Sequence, residues 1–81
     1  QSRQDVFVPN GSTLAFNLTV SPDAQLRNMV MVFRNGVLQK LVASSPSGTD
    51  EYTVTESGGT TTITFGANIP SSNAIEVRYL A

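Results

Sequence analysis

Apolar and polar residues alternate along this chain in short runs separated by turn-forming residues, and a period of two marks strands. Gln4 to Pro9 reads as a first strand, stopped by Pro9 and the turn residues Asn10-Gly11-Ser12. Leu14, Phe16, Leu18 and Val20 then share one face of a second strand, with Ala15, Asn17 and Thr19 on the other. Ser21-Pro22-Asp23 breaks the pattern, and Ala24 to Asn28 is expected to cross irregularly between sheets rather than to form a helical turn.

The longest apolar stretch, Met29 to Val42, is interrupted by Asn35-Gly36. Between strand formers that dipeptide predicts a two-residue type I′ hairpin, because both central residues of such a turn need φ > 0. The turn would pair Arg34 with Val37, Phe33 with Leu38, Val32 with Gln39 and Met31 with Lys40. Met29, Met31, Phe33, Leu38 and Val42 then lie on one face. Val30, Val32, Val37 and Leu41 lie on the other, diluted by Arg34 and Gln39. Both faces are apolar, so this should be a central pair covered on both sides, or one with a side covered by another subunit.

Ala43 to Asp50 is a loop by composition, and Tyr52 and Val54 share a face of the strand that follows. Ser57-Gly58-Gly59-Thr60 turns the chain into Thr61 to Phe65, with Ile63 and Phe65 inward. After the loop Gly66 to Asn73, a last strand runs from Ala74 to Leu80, with Ile75, Val77 and Tyr79 inward and Glu76 and Arg78 in water. About seven short strands at this spacing predict an all-β fold, a small antiparallel β-sandwich with a central Asn-Gly hairpin.

Composition sharpens this picture. Eighty-one residues make one domain, spanning 1–81, in which residues 1–12 form an N-terminal strand or arm able to meet a partner. A chain this small buries only about 60–65% of its unfolded surface, and small domains usually add a disulfide, a metal or a partner subunit. The sequence holds no Cys and no His, which removes disulfides and the common zinc sites and leaves a partner chain as the expected supplement. A net charge of −1 supplies no basic footprint for nucleic acid. No apolar segment approaches the ~20 residues of a membrane span and no signal-peptide pattern stands at the N-terminus, so neither nucleic acid nor membrane is an expected partner. The chain opens on Gln1, which leaves room for residues before it.

Candidate chemistry is sparse. With neither His nor Cys, catalysis would need Ser or Thr beside Lys40, or a carboxylate pair. Asp50 and Glu51 are the only adjacent acids, and neighbours on a strand point to opposite faces. No enzyme activity, cofactor or metal site is therefore expected. The triplets Asn10-Gly11-Ser12 and Asn17-Leu18-Thr19 match the glycosylation pattern, but such triplets arise by chance in a Ser/Thr-rich chain and turn chemistry accounts for the first, so neither is read as a site outside a secreted eukaryotic protein. Trp is absent; Phe16, Phe33, Tyr52, Phe65 and Tyr79 fall on inward faces, and Phe7 alternates out of phase with Val6 and Val8.

Four segments occur in a telling order: Val32-Phe33-Arg34-Asn35-Gly36-Val37-Leu38-Gln39, Asp50-Glu51-Tyr52-Thr53-Val54, Thr61-Thr62-Ile63-Thr64-Phe65 and Ile75-Glu76-Val77-Arg78-Tyr79-Leu80. Over roughly residues 13 to 81 the chain resembles the small β-sandwich module of bacteriophage tail-fibre and virion decoration proteins. In that module an Asn-Gly hairpin precedes an Asp-x-Tyr strand, an Ile-Thr-Phe strand and a closing strand ending in Tyr. The connector from Leu41 to Thr49 departs from it, being longer and richer in Ser. The resemblance implies a non-enzymatic virion structural protein, a tail-fibre or capsid decoration or attachment module. Such a module binds other virion proteins, is located in the extracellular particle and often assembles as a homo-oligomer, commonly a trimer.

The competing expectation is a carbohydrate-binding, host-receptor adhesion module of a tail fibre or secreted enzyme, with a host surface glycan as partner. The candidate protein-contact residues are Val6, Phe7 and Val8 on the first strand, and Val30, Val32, Val37 and Leu41 on one hairpin face.

Overall fold

The computed structural model describes all residues, Gln1–Ala81, as a β-sandwich of two four-stranded sheets. In chain order the strands are β1 (Ser2–Phe7), β2 (Ala15–Asn17), β3 (Met31–Arg34), β4 (Val37–Leu38), β5 (Lys40–Leu41), β6 (Glu51–Ser57), β7 (Thr60–Phe65) and β8 (Ile75–Leu80). The first sheet has the order β1-β8-β3-β4 and the second β2-β7-β6-β5. All pairings are antiparallel except β5 with β6.

Period-two alternation decides what lies between the sheets. Val32, Ile75, Val77 and Tyr79 point inward from the first sheet, and Phe16, Tyr52, Ile63 and Phe65 point inward from the second. Aromatic edges interlock there: the Phe16 and Phe65 rings sit 6.2 Å apart, edge to face. The Tyr52 hydroxyl donates to the Val30 carbonyl at 2.6 Å, joining the sheets inside the core. Ile69, a lone apolar residue in the Gly66-to-Asn73 loop, is also fully buried, held by hydrogen bonds to Gly11 and Thr13.

The Asn35-Gly36 hairpin forms in the expected register. Phe33 pairs with Leu38 and Arg34 with Val37, and Asn35 and Gly36 have φ of 53° and 81°. Asn35 also exchanges two hydrogen bonds with Ala74, its backbone N–H donating to the carbonyl and its Oδ1 accepting from the N–H. Arg34 clamps the base of the hairpin. Its guanidinium donates to the Thr49 carbonyl, to Asn73 Oδ1 and to Asp50 Oδ1 at 3.2, 3.1 and 2.9 Å. Two loops distant in sequence are thereby fixed to one turn.

Three expectations are corrected. The pairing of Met31 with Lys40 does not form: after Gln39 donates its N–H to Val32, the chain leaves for the second sheet. There Lys40 and Leu41 run parallel to Glu51 and Tyr52. Residues Ala24–Met29 form a 3₁₀ helix, and it is this helix that carries the chain between sheets. The first strand starts at Ser2 and ends before Val8, which is strongly exposed.

Candidate protein-contact surface

The outer faces of the two sheets differ in chemistry. On the second sheet, register sets Ala15 beside Thr64 and Thr53, and Asn17 beside Thr62 and Thr55. Thr combines the β-branching that strands favour with a hydroxyl that water or a neighbour can satisfy. Here Thr62 donates to Asn17 Oδ1 at 2.8 Å. Thr53 is buried, whereas Ala15, Asn17 and Thr55 are exposed, so the face is polar and, away from Thr53, wet.

The first sheet's outer face is built from three cross-strand rows. Val6, Glu76, Phe33 and Leu38 form one row; Gln4, Arg78 and Met31 the next; Ser2 and Leu80 the last. Met29, two residues before Met31, extends the same side. Val6 is 65% exposed, Leu38 56% and Met31 44%. The only charges among them are Glu76 and Arg78, paired at 2.5 Å, with the Arg78 guanidinium 5.7 Å from the Phe33 ring centroid. Beside that pair lies a shallow cleft of about 570 Å³ lined by Gln4, Met29, Met31, Arg78 and Leu80 among others.

The expected contact residues divide between core and surface. Val30 and Val32 are fully buried and belong to the sandwich core, so the expectation that their face meets another chain is overturned. The cause is the neighbouring strand. Val32 lies opposite Val77 and Phe33 opposite Glu76, so the wholly apolar side of β8 fixes which side of β3 turns inward. Phe7 and Leu41 pack against the core while half-exposed. Val37 shares the inward side with Arg34, but it sits at the open end of the hairpin and is exposed. Val6 and Val8 are exposed, and Val6 stands in the outer apolar row.

One aromatic expectation, Phe33 on an inward face, is overturned, and the open question of which side Phe7 takes is answered. Phe33 lies outward under Arg78, whereas Phe7 turns inward with its ring 5.3 Å from that of Phe16. Met29, Met31, Phe33, Leu38 and Leu80 are thus the surface residues that the hairpin alone did not single out. The signal lay in β8, whose Glu76 and Arg78 mark the outer side.

The charged groups elsewhere serve local structure. Asp5 Oδ2 accepts from the Tyr79 hydroxyl at 2.9 Å and the Thr19 N–H at 2.8 Å, while the Tyr79 oxygen accepts from the Val20 N–H. This closes the β1–β2 side of the sandwich. Burial pushes the phenols of Tyr52 and Tyr79 above their ordinary range, and at Tyr79 the bond to Asp5 adds to the rise. Glu51 accepts from the Ser47 N–H, and Glu56 from the Gly59 N–H beside Arg27. No three carboxylates, imidazoles or thiols gather anywhere in the fold, and no helix is long and apolar enough to cross a membrane.

Comparison with family models, with curated proteins and with solved structures finds no match to this chain.

Proposed function

We propose that this chain is a non-enzymatic structural module of a bacteriophage virion, of the tail-fibre or capsid-decoration kind, that works by binding other virion proteins. The observation that carries the reading is the outward set of exposed Val6, Met31 and Leu38 around half-buried Phe33, on a sheet whose opposite face already supplies a complete core. A two-layer sandwich needs one apolar face per sheet, and a second apolar face is stable in water when something covers it. The order of the hairpin, Asp-x-Tyr, Ile-Thr-Phe and closing-Tyr segments supports the virion setting. The Arg78 guanidinium over Phe33 favours a protein contact over sugar stacking, because it occupies a face of the outermost ring.

In this reading the Asn35-Gly36 turn is scaffold. Together with Arg34 it fixes β3 and β4 so that Phe33 and Leu38 stand side by side on the outer face. The test is particle composition. Phage particles produced by the genome that encodes the chain should contain it in stoichiometric amounts by quantitative mass spectrometry, and antibodies should label one particle surface by electron microscopy. Purified particles that lack the chain would overturn the assignment.

A further inference from the structure

We infer that the outer face of the first sheet pairs with the same face of a second copy of this chain across a two-fold axis that passes over Val77. The inference rests on the structural-module reading and names the partner of that surface.

The argument starts from β8. Glu76 and Arg78 flank Val77 and point outward together, forming one acid and one base on a face whose other residues are uncharged. A two-fold axis lying in the interface and crossing β8 at Val77 reverses the strand direction of the second copy. Glu76 of each copy then faces Arg78 of the other, so the charges complement one another twice over. A two-fold contact needs this self-complementarity, in which residue i meets j and j meets i. A surface with one sign of charge could not supply it.

The apolar neighbours obey the same operation. Phe33 shares a row with Glu76, and Met31 shares a row with Arg78. Reversal therefore lays each Phe33 ring on the partner copy's methionine, and thioether sulfur packs favourably on aromatic edges. Val6 lands over the aliphatic stem of Gln4 by the same rule.

Size sets the strength. β1 and β8 are six residues long but β3 has four and β4 two, so eighteen residues spaced about 4.8 by 3.3 Å give a face of roughly 300 Å², and a pair buries on the order of 600–800 Å² in total, below the range of specific stand-alone interfaces. The pair is therefore weak between free copies and fills when copies are held close, as on a particle, where local concentration replaces affinity. It is also a dimeric contact rather than the trimer that the tail-fibre resemblance implies.

Sedimentation velocity over a concentration series tests the pairing with charge-reversed variants. The wild-type chain should move from 8.6 kDa toward twice that mass as concentration rises. Glu76→Arg alone and Arg78→Glu alone each set like charges face to face, and each should weaken pairing by tenfold or more. An equimolar mixture of the two single variants should pair again, because every contact then joins opposite charges, and the doubly reversed chain should do so as well. Circular dichroism melts check that both variants fold, as expected for an exposed Arg78 and a half-buried Glu76 outside the core. A wild type that stays monomeric at the highest concentration, a trimeric mass, or single variants whose mixture associates no better than either alone would overturn the inference. Particle composition is unaffected by any of these results, so the pairing and the virion assignment fail separately.

Discussion

The two outer faces of this sandwich come from similar strands and meet different demands. On the second sheet Asn17, Thr55, Thr62 and Thr64 present hydroxyls and an amide, while the first sheet presents Val6, Met31, Phe33, Leu38 and Leu80 around one ion pair. Between them the sheets enclose a single cluster of eleven buried apolar residues, to which neither outer face contributes. Thr and Val are close in shape and both suit a strand. The difference between the faces is therefore not a requirement of folding. The hydroxyl face is what a sandwich shows to water, and the apolar face is the one we propose meets another protein.

The largest expected break in that comparison lies within one strand. Val32 and Met31 are sequence neighbours on opposite sides of β3, one fully buried and one 44% exposed. Val32→Ser should cost about 3 kcal/mol in chemical denaturation, through the cavity and an unpaired hydroxyl, whereas Met31→Ser should stay within about 0.5 kcal/mol. Equal losses would mean that the faces have been assigned the wrong way round.

Next in size is the bond that joins the sheets. Tyr52→Phe strands the buried Val30 carbonyl and should cost about 1–3 kcal/mol, with little change in self-association. Gly66→Ala should cost a similar 1–3 kcal/mol, because a Cβ there meets the Pro46 carbonyl and lies 2.7 Å from the Gly48 nitrogen, forcing the 43–49 connector off the second sheet.

Alkali acts on the core rather than on either outer face. The Tyr52 and Tyr79 phenols ionise at higher pH in the folded chain than in the unfolded one. Stability from this source is therefore complete below the unfolded value near pH 10 and is lost as pH rises from there through the folded values. Urea midpoints measured from pH 8 to pH 11 should fall above about pH 10, and the fall should shrink in the Tyr52→Phe chain.

The smallest effect belongs to the hydroxyl face. Thr62→Val removes the bond to Asn17 at an exposed site, and thermal melts should show a change within about 0.5 kcal/mol. Its self-association should match that of the wild type, the sharpest contrast with Glu76→Arg.

Much of this fold was legible in the sequence, and the parts that were not have physical causes. Asn35-Gly36 fixes its own register, because a two-residue turn with positive φ leaves one pairing for Phe33 and Arg34. Ile75, Val77 and Tyr79 alternate so cleanly with Glu76 and Arg78 that the inner side of β8 needs no structure to identify. The hairpin, apolar on both sides, carries no such mark, and only its pairing with β8 turns Val32 inward and Phe33 outward. That pairing joins residues more than forty positions apart, which local pattern cannot reach.

The switch of sheets after Gln39 was hidden for a different reason. The run Leu38-Gln39-Lys40-Leu41-Val42 contains no Gly or Pro, yet the backbone leaves one sheet for the other within it. Ile69 gives no period because it is a single apolar residue among Gly66, Asn68, Pro70 and Ser71. The candidate surface was legible in kind and displaced in place. An apolar excess on the hairpin was evident from its composition, while the identity of the uncovered side waited on β8.

The two methionines of this chain offer the most direct measurement, since both Met29 and Met31 lie on the face in question. Oxidation by dilute peroxide, followed at each methionine by mass spectrometry, should proceed readily in dilute solution and slow several-fold at both positions when the chain is concentrated or bound in a particle. Equal oxidation rates at both residues under all three conditions would contradict the claim that the outer face of the first sheet is this protein's contact surface.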